Sequence, residues 1–367
     1  MCGSGTVKKI HHRLRQKTKV PDSGRICRTV GITLLVVTAA LQVAARTQNE
    51  FATWYSHHVY LTLAGVLGRI FGSIPFPVAE LLMYVLVVFF IVYSIRFWGQ
   101  PVGRKGKNFL FVILPMAFLI YTTNCGINYY AQSFIEQEGI QTGTYSEQQL
   151  KELCVYLVDQ VNENVSTELY AENKTEWKNE GIRSMVGLGE AFPVLKGYYP
   201  KPKDILNARF MSAQQLAGLY TPFTMEIYIN GGMTDYNIPH TICHELFHSK
   251  GYMREDEANF IGYLACINSD NQAFRYSGYL TGWMYAGNAL AEADRELYQE
   301  LSERLDPRVR ADLEENNRFW NDGKGVLSEV SNQWRDVYLK ANNQPDGIHS
   351  YDGMVELMLA YYMKNKT

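Results

Sequence analysis

The sequence predicts a mainly α-helical membrane protein, in which three transmembrane helices precede an α+β soluble domain with a small sheet. Three observations predict this class: three apolar stretches before residue 132, amphipathic helical patterns after it, and an H-E-x-x-H motif at residues 244–248. We expect a basic cytoplasmic tail (residues 1–25), a transmembrane region (26–131) and an extracytoplasmic soluble domain (132–367).

The three apolar stretches cover about residues 26–45, 78–98 and 109–130. Each approaches the roughly 20 residues that are needed to cross a bilayer core. Aromatic and basic residues near the ends of the second and third stretches are typical of membrane interfaces. A cleaved signal peptide is an alternative for the first stretch, and buried core helices are an alternative for all three. The first stretch has no convincing cleavage site and two further apolar stretches follow it, which favours an uncleaved anchor.

The distribution of basic residues predicts the orientation in the membrane. The first 25 residues carry seven lysines or arginines against one aspartate, and Arg104, Lys105 and Lys107 lie between the second and third stretches. Because basic loops stay in the cytoplasm, three crossings place the rest of the chain outside it. Residues 50–77 are then also outside, and their mixed aromatic and polar composition predicts an amphipathic, interfacial element.

Composition excludes several classes of function. A formal net charge of −2 gives no indication of a nucleic-acid partner. The six cysteines form no C-x-x-C pair, which argues against a disulfide scaffold and against a cysteine-ligated zinc ion. Cys243 precedes the motif, but its side chain points about 100° away from that of His244 on a helix, so we interpret it as a packed thiol.

The soluble half contains recognisable element signals. Ser146 with Gln149 three residues later predicts a capping box at the start of a helix. Residues 224–229 alternate and predict a short strand. The helix that carries the motif should end at Gly251, and a second helix should begin near Arg254.

The motif predicts a metal site. His244 and His248 are four residues apart and therefore share one face of a helix. Two neutral imidazoles at this spacing can bind one zinc ion, each at about 2.0–2.1 Å. Glu245, beside the first histidine, can act as the general base towards water on the metal.

A catalytic zinc site needs a third protein ligand. In the metzincin pattern this ligand is a histidine, but the corresponding position is Arg254, which cannot bind zinc. Glu255 is the expected ligand and Glu257 the alternative. Asn259, four residues after Glu255, would accept the free N–H of one of the two histidines. Because only six residues separate the second histidine from Glu255, Gly251 must reverse the chain sharply.

The segment Glu255-Asp-Glu-Ala-Asn resembles the glutamate helix of gluzincin membrane peptidases. Nearly the whole chain resembles an uncharacterised bacterial membrane family known as domain-of-unknown-function family 3810. The matching segments are Tyr220-Thr-Pro-Phe, residues 239–248, residues 251–259, Tyr276-Ser-Gly-Tyr and Ser350-Tyr-Asp. The resemblance implies a zincin-like soluble domain of the gluzincin type, with Zn²⁺ as its cofactor.

The expected function is a membrane-anchored zinc metallopeptidase that hydrolyses peptide bonds. An oxyanion-stabilising donor is also needed, and Tyr276 and Tyr279 are the first candidates. The strand at residues 224–229 would add a peptide substrate to its free edge, with Glu226 and Asn230 contributing to substrate binding.

Three other functions stay open. The same residues would suit an amidase that acts on a non-peptide substrate, or a zinc-binding membrane sensor or scaffold without turnover. A membrane adaptor with a fortuitous motif is a third reading. Glu245 favours the enzyme, because a purely structural zinc site needs no general base. The expected partners are a peptide or protein substrate and the lipid bilayer, and the sequence gives no oligomeric state.

Overall fold

The computed structural model of the protein describes residues 23–96, 103–167, 174–347 and 353–366. Within these residues the chain is mainly helical and contains one small sheet of three strands. The basic tail up to residue 22, the Trp98 end of the second apolar stretch and the Ser350-Tyr-Asp segment lie outside the described residues.

The helices follow one another in chain order. They are α1 (Ser23–Thr47), α2 (Asn49–Tyr55), α3 (Leu61–Gly72), α4 (Val78–Arg96), α5 (Arg104–Tyr121), α6 (Phe134–Glu138), α7 (Glu147–Asn164), α8 (Lys174–Leu188), α9 (Ala208–Ala213), α10 (Asn237–His248), α11 (Glu255–Ile267), α12 (Gln272–Ala293), α13 (Arg295–Arg304), α14 (Pro307–Asp322), α15 (Val326–Ala341) and α16 (Met354–Lys366). The strands are β1 (Lys203–Asp204), β2 (Gly218–Thr221) and β3 (Glu226–Ile229).

The three apolar stretches form helices that are long and apolar enough to cross a membrane. The apolar spans are Gly24–Thr47, Val78–Arg96 and Gly106–Tyr130, and the third continues beyond α5 through a π-helical turn and a 3₁₀ turn. Helices α1 and α5 pack closely at Gly31, where a Cβ atom would lie 2.2 Å from the carbonyl oxygen of Phe111. The prediction of three membrane-spanning helices is therefore supported by their length and composition.

The first turn of α4 and the end of the third apolar span contact the soluble part of the chain. Glu80, in the first turn of α4, accepts hydrogen bonds from the backbone N–H groups of Leu206 and Asn207. Asn124, in the π-helical turn that follows α5, donates to the carbonyl oxygen of Pro222. These contacts connect the elements after residue 200 to the start of the second apolar span and the end of the third.

The chain between the first two spans is a helical rod. It consists of α2, a π-helical turn (Ser56–Tyr60) and α3. The buried hydroxyl of Tyr60 lies 2.7 Å from that of Tyr220 and donates to the carbonyl oxygens of His248 and Ser249 at 3.3 Å. The segment that we expected to be an interfacial element thus packs against the helix that carries the motif.

The sheet corrects one expectation from the sequence. Its order is β1-β3-β2, with β3 parallel to β1 and antiparallel to β2. Strand β3, which we expected to offer a free edge to substrate, is the central strand and has a neighbour on both sides. Strand β1 has only two residues, and burial does not alternate along the four residues of β2, so a period-two pattern reveals neither strand.

Helices α10, α11 and α12 form the centre of the soluble part. Nearly every side chain of α10 and α11 is buried, because each helix is covered on several sides. The predicted capping box of α7 is confirmed: Ser146 and Gln149 each accept the other's backbone N–H.

Candidate metal centre

Helix α10 ends at His248, and the tight turn after it makes the site possible. Gly251 adopts a φ of +92°, a left-handed conformation that favours glycine. A Cβ atom at this position would lie 2.7 Å from Ser56 Oγ and 3.0 Å from the ring of Tyr60. The helical rod between the first two spans therefore leaves room only for glycine here. The chain reverses and starts α11 at Glu255.

Three side chains from α10 and α11 converge on one point. Glu255 Oε2 lies 3.3 Å from His244 Nε2 and 3.6 Å from His248 Nε2. The two Nε2 atoms are 3.1 Å apart. Among the residues that the structure describes, these three form one group of potential metal ligands.

The other ring nitrogens of both histidines are held by hydrogen bonds. His244 Nδ1 lies 2.8 Å from Asn259 Oδ1, and His248 Nδ1 lies 2.8 Å from the carbonyl oxygen of Tyr252. Both acceptors favour a proton on Nδ1, which leaves the Nε2 lone pairs directed into the cluster. Asn259 thus makes the contact that its spacing from Glu255 suggests.

This arrangement fits a tetrahedral metal ion. Three ligand atoms at about 2.0–2.1 Å from tetrahedral zinc are about 3.3–3.4 Å apart, and the observed separations of 3.1, 3.3 and 3.6 Å bracket that value. Two imidazole nitrogens and one carboxylate oxygen are donors that zinc accepts. Two lone pairs that face each other at 3.1 Å also require a cation or a proton between them.

Burial and charge shape the protonation of the metal-free cluster. Burial alone lowers the pKa of His248, but the Glu255 carboxylate opposes it and raises the pKa to about 9. Burial likewise acts to raise the pKa of Glu255, and the charge of His248 overrides it and holds this pKa well below its usual range. The cluster therefore attracts one positive charge, which a proton supplies when no metal is bound.

Glu245 lies on the same helix beneath strand β2. A Cβ atom on Gly218 would lie 2.5 Å from Glu245 Oε1, and the nearby backbone N–H of Tyr220 acts to lower the pKa of the carboxyl group. Burial raises the pKa of Glu245, which makes it a stronger base than an exposed glutamate. The side chain is only 6% exposed. An acceptor for protons is thus held beside the three potential ligands.

The alternative ligand, Glu257, lies elsewhere. Its carboxylate accepts the backbone N–H groups of Phe134 and Ile135, at the start of α6. Burial raises its pKa to about 7. Glu257 therefore holds α6 against α11, and the structure brings Glu255 into the cluster instead.

Three further residues that the sequence suggested for the site have other partners. Glu226 pairs with Lys203 at 2.5 Å and accepts the N–H groups of Val78 and Ala79 at the start of α4. Asn230 is fully buried and donates to Ser212 Oγ and to the carbonyl oxygen of Leu216. Tyr276 is fully buried and donates to Asp312 at 2.6 Å. Glu226 and Asn230 were expected to contact substrate, and Tyr276 was expected to stabilise the oxyanion. In the structure, all three side chains contact structural partners instead.

Several residues of the site escaped the sequence analysis. Gly218 and Tyr220 contact Glu245 from β2, and Tyr60 contacts the end of α10 from the rod between the spans. The hydroxyl of Tyr285, on α12, accepts a hydrogen bond from Asn259 Nδ2 at 3.1 Å. These residues are distant along the chain from the motif, so no local spacing could have revealed them.

Comparison with known proteins gives a family but no characterised relative. No curated protein and no solved structure matches the chain. Residues 55–359 match a family described as "Protein of unknown function (DUF3810)". This match includes the whole candidate metal centre and most of the chain. The protein is therefore a member of the DUF3810 family.

Proposed function

We propose that the protein is a membrane-anchored, zinc-dependent metallopeptidase of the gluzincin type. The observation that carries the proposal is the convergence of His244, His248 and Glu255 to within 3.6 Å of one another, with Glu245 beside them. The sequence placed the two histidines together by their spacing, but the position of Glu255 depends on the fold. An accidental motif on a solvated helix surface would not require a carboxylate from the next helix to lie beside both histidines.

The surrounding elements support a zincin-like arrangement. The helix with both histidines contacts strand β2 through Glu245, and the next helix supplies the carboxylate. Asn259 orients His244 from that same helix. Hydrogen bonds of this kind to ligand histidines fix the tautomer and raise metal affinity.

The chemistry divides between the metal and the chain. When bound, zinc supplies a Lewis acid that polarises the scissile carbonyl and acidifies water. His244, His248 and Glu255 would hold it. Glu245 accepts the proton of the attacking water and passes it to the leaving amine, and its raised pKa suits both steps. Tyr285, through its hydrogen bond with Asn259, is the phenol that we favour for oxyanion stabilisation.

Strand β2 supports a peptide as substrate. It is an edge strand, and its Ala217 neighbour accepts the N–H of Asn230. Because hydrogen bonding alternates along an antiparallel ladder, the backbone groups of Gly218 and Tyr220 point away from β3. An extended peptide could pair with this edge by strand addition directly beside Glu245. Strand β2 thus takes the place of β3 as the strand that we propose for peptide binding, because β3 has a neighbouring strand on both sides.

We further propose an orientation in the membrane, which the contacts between the spans and the other elements support. The soluble elements contact the spans where α4 begins and where the third span ends, as three alternating crossings require. With the basic tail in the cytoplasm, these contacts support a metal centre outside the cytoplasm. A tag after Thr367 should then react with impermeant reagents in intact cells. A tag that reacts only after lysis would show that the orientation is the opposite one.

The function is tested with wild type and Glu245→Gln, purified as full chains in detergent or nanodiscs. Metal content and cleavage of a peptide library are measured for both. Zinc in both proteins with cleavage by wild type alone supports the proposal. Zinc in both with cleavage by neither indicates a sensor, a scaffold or an amidase, and wild type without stoichiometric metal refutes the site itself.

A further inference from the structure

Helix α15 exposes a continuous apolar stripe. Six of its large apolar side chains are between 37% and 78% exposed, and they are Val326, Leu327, Val330, Trp334, Val337 and Tyr338. At 100° per residue, all six fall within an arc of about 120° around the helix axis. Such a stripe on a soluble surface needs a partner, because exposed apolar patches of this kind mark interaction sites.

The rest of the helix surface divides into two other faces. Ser328 and Leu339 are buried and turn towards the protein. Glu329, Asp336 and Lys340 lie on a third face, about 120° around the helix from the centre of the apolar stripe, and Lys340 pairs with Asp336 at 2.8 Å. The helix therefore separates an apolar side from a charged side, with the protein behind both.

The C-terminal end of α15 lies where the first and third spans end. The hydroxyl of Tyr338 is 3.1 Å from that of Tyr129 and 3.3 Å from that of Tyr121. Arg46, in the last turn of α1, reaches the carbonyl oxygen of Ala341 at 3.5 Å. This end of the helix is thus fixed at the boundary of the membrane region.

The N-terminal end of α15 is held near the start of the second span. Gln215 donates to the carbonyl oxygen of Trp320, and a Cβ atom on Gly323 would lie 3.0 Å from the carbonyl oxygen of Ser212. Ser212 belongs to α9, which directly follows Asn207, and the N–H of Asn207 is bound by Glu80 of α4. Both ends of α15 are therefore close to the level at which spans enter the membrane.

We propose that α15 lies along the outer surface of the lipid bilayer, with its apolar stripe in the boundary between headgroups and acyl chains. The helix has 16 residues and is about 24 Å long, and it cannot tilt far from the membrane plane while both ends are held. The charged side then faces water. Trp334 and Tyr338 belong to the residue types that concentrate at this depth, and an amphipathic helix gains affinity from such burial.

We favour lipid over a second copy of the chain as the partner of the apolar stripe, because the stripe adjoins the apolar surface of the third span. Tyr338 already contacts Tyr121, the last residue of α5, so the stripe continues the apolar surface of the third span without a break. Any bilayer that covers α5 also reaches α15. The inference does not depend on the metal or on peptidase activity.

The test uses the full chain in nanodiscs that hold one copy each, made with phosphatidylcholine whose acyl chains are brominated near the headgroup. Bromine quenches indole fluorescence only on close approach. The emission of Trp334 is isolated by subtracting the spectrum of Trp334→Phe from that of wild type. We expect this difference emission to lose most of its intensity in brominated lipid, and less when the bromine lies deep in the chains.

The matched control moves the indole to the charged side. Glu329→Trp in the Trp334→Phe background places the probe about 140° from Trp334 around the same helix, and its emission should be unquenched. Both substituted positions are exposed, so folding is checked simply by thermal unfolding of each variant. Equal quenching at the two positions, or none at Trp334, would overturn the proposal. Protection of Trp334 that appears only in discs with two copies would assign the stripe to a dimer interface.

Discussion

Replacing Gly218 with alanine should inactivate the protein without removing its metal. In the native chain this glycine of β2 lets the strand approach Glu245. A Cβ atom placed there would be 2.5 Å from Oε1, 2.6 Å from Cγ and 2.8 Å from Cδ of that side chain. Gly218 has an ordinary backbone conformation, so alanine is opposed by this contact alone and not by φ.

The size of the effect follows from these distances. Carbon atoms in contact are about 3.5–4.0 Å apart, so the Glu245 carboxylate must move by about 0.9 Å or the strand must lift by as much. A catalytic group misplaced by about 1 Å can cost about 100-fold in rate, which corresponds to about 2.7 kcal/mol. The added methyl group should also lower the free energy of unfolding by about 1–3 kcal/mol.

The assay compares metal content, thermal stability and kcat/KM on a peptide that the wild type cleaves. Gly143→Ala is the matched control, because a Cβ atom there meets nothing within 4 Å. We expect Gly218→Ala to bind zinc like the wild type and to lose about 100-fold in kcat/KM, while Gly143→Ala keeps full activity. Wild-type kcat/KM in Gly218→Ala would refute the placement of Glu245 beneath β2, and loss of zinc would mean that β2 supports the ligands themselves.

Four further predictions concern the metal centre and its surroundings. Glu255→Ala should abolish tight zinc binding. Glu257→Gln should retain zinc and lower the free energy of unfolding by about 1–3 kcal/mol, because the amide is a weaker acceptor for the buried N–H groups. The opposite pattern would show that Glu257 is the ligand and Glu255 the structural residue. Asn259→Ala should weaken zinc affinity by about 10–100-fold in competition with a chelator, and an unchanged affinity would show that this hydrogen bond does not orient the ligand. Zinc uptake at pH 7 should release about one proton per ion, because the pKa of His248 is raised to about 9 in the metal-free protein. Zinc affinity should accordingly increase with pH until the pH reaches that value. Proton release is followed with a pH indicator in weak buffer, and zinc uptake without it would contradict this. Glu226→Gln should lower the thermal stability of the protein and leave its zinc content and KM unchanged, since its carboxylate contacts Lys203 and the start of α4; a raised KM with normal stability would restore its expected role in substrate binding.

The sequence by itself determined the features that depend on local spacing. Two histidines four residues apart share a helix face whatever the rest of the fold, and three apolar stretches of about 20 residues are recognisable without any long-range contact. Gly251 was expected to reverse the chain, and its φ of +92° shows that it does. The small sheet was only partly predictable, because β1 has only two residues and β2 does not alternate between buried and exposed positions.

Only the tertiary structure decided which residues surround the motif. Glu255 and Glu257 are two residues apart and so face different directions on α11, but the sequence does not show which direction leads to the histidines. Glu257 binds the backbone at the start of α6, and Glu255 points into the cluster. The free edge of β2 and the contact of Gly218 with Glu245 likewise come from elements brought together by burial of apolar surface. Such contacts depend on how whole helices and strands pack, and no pattern within a single segment contains that information.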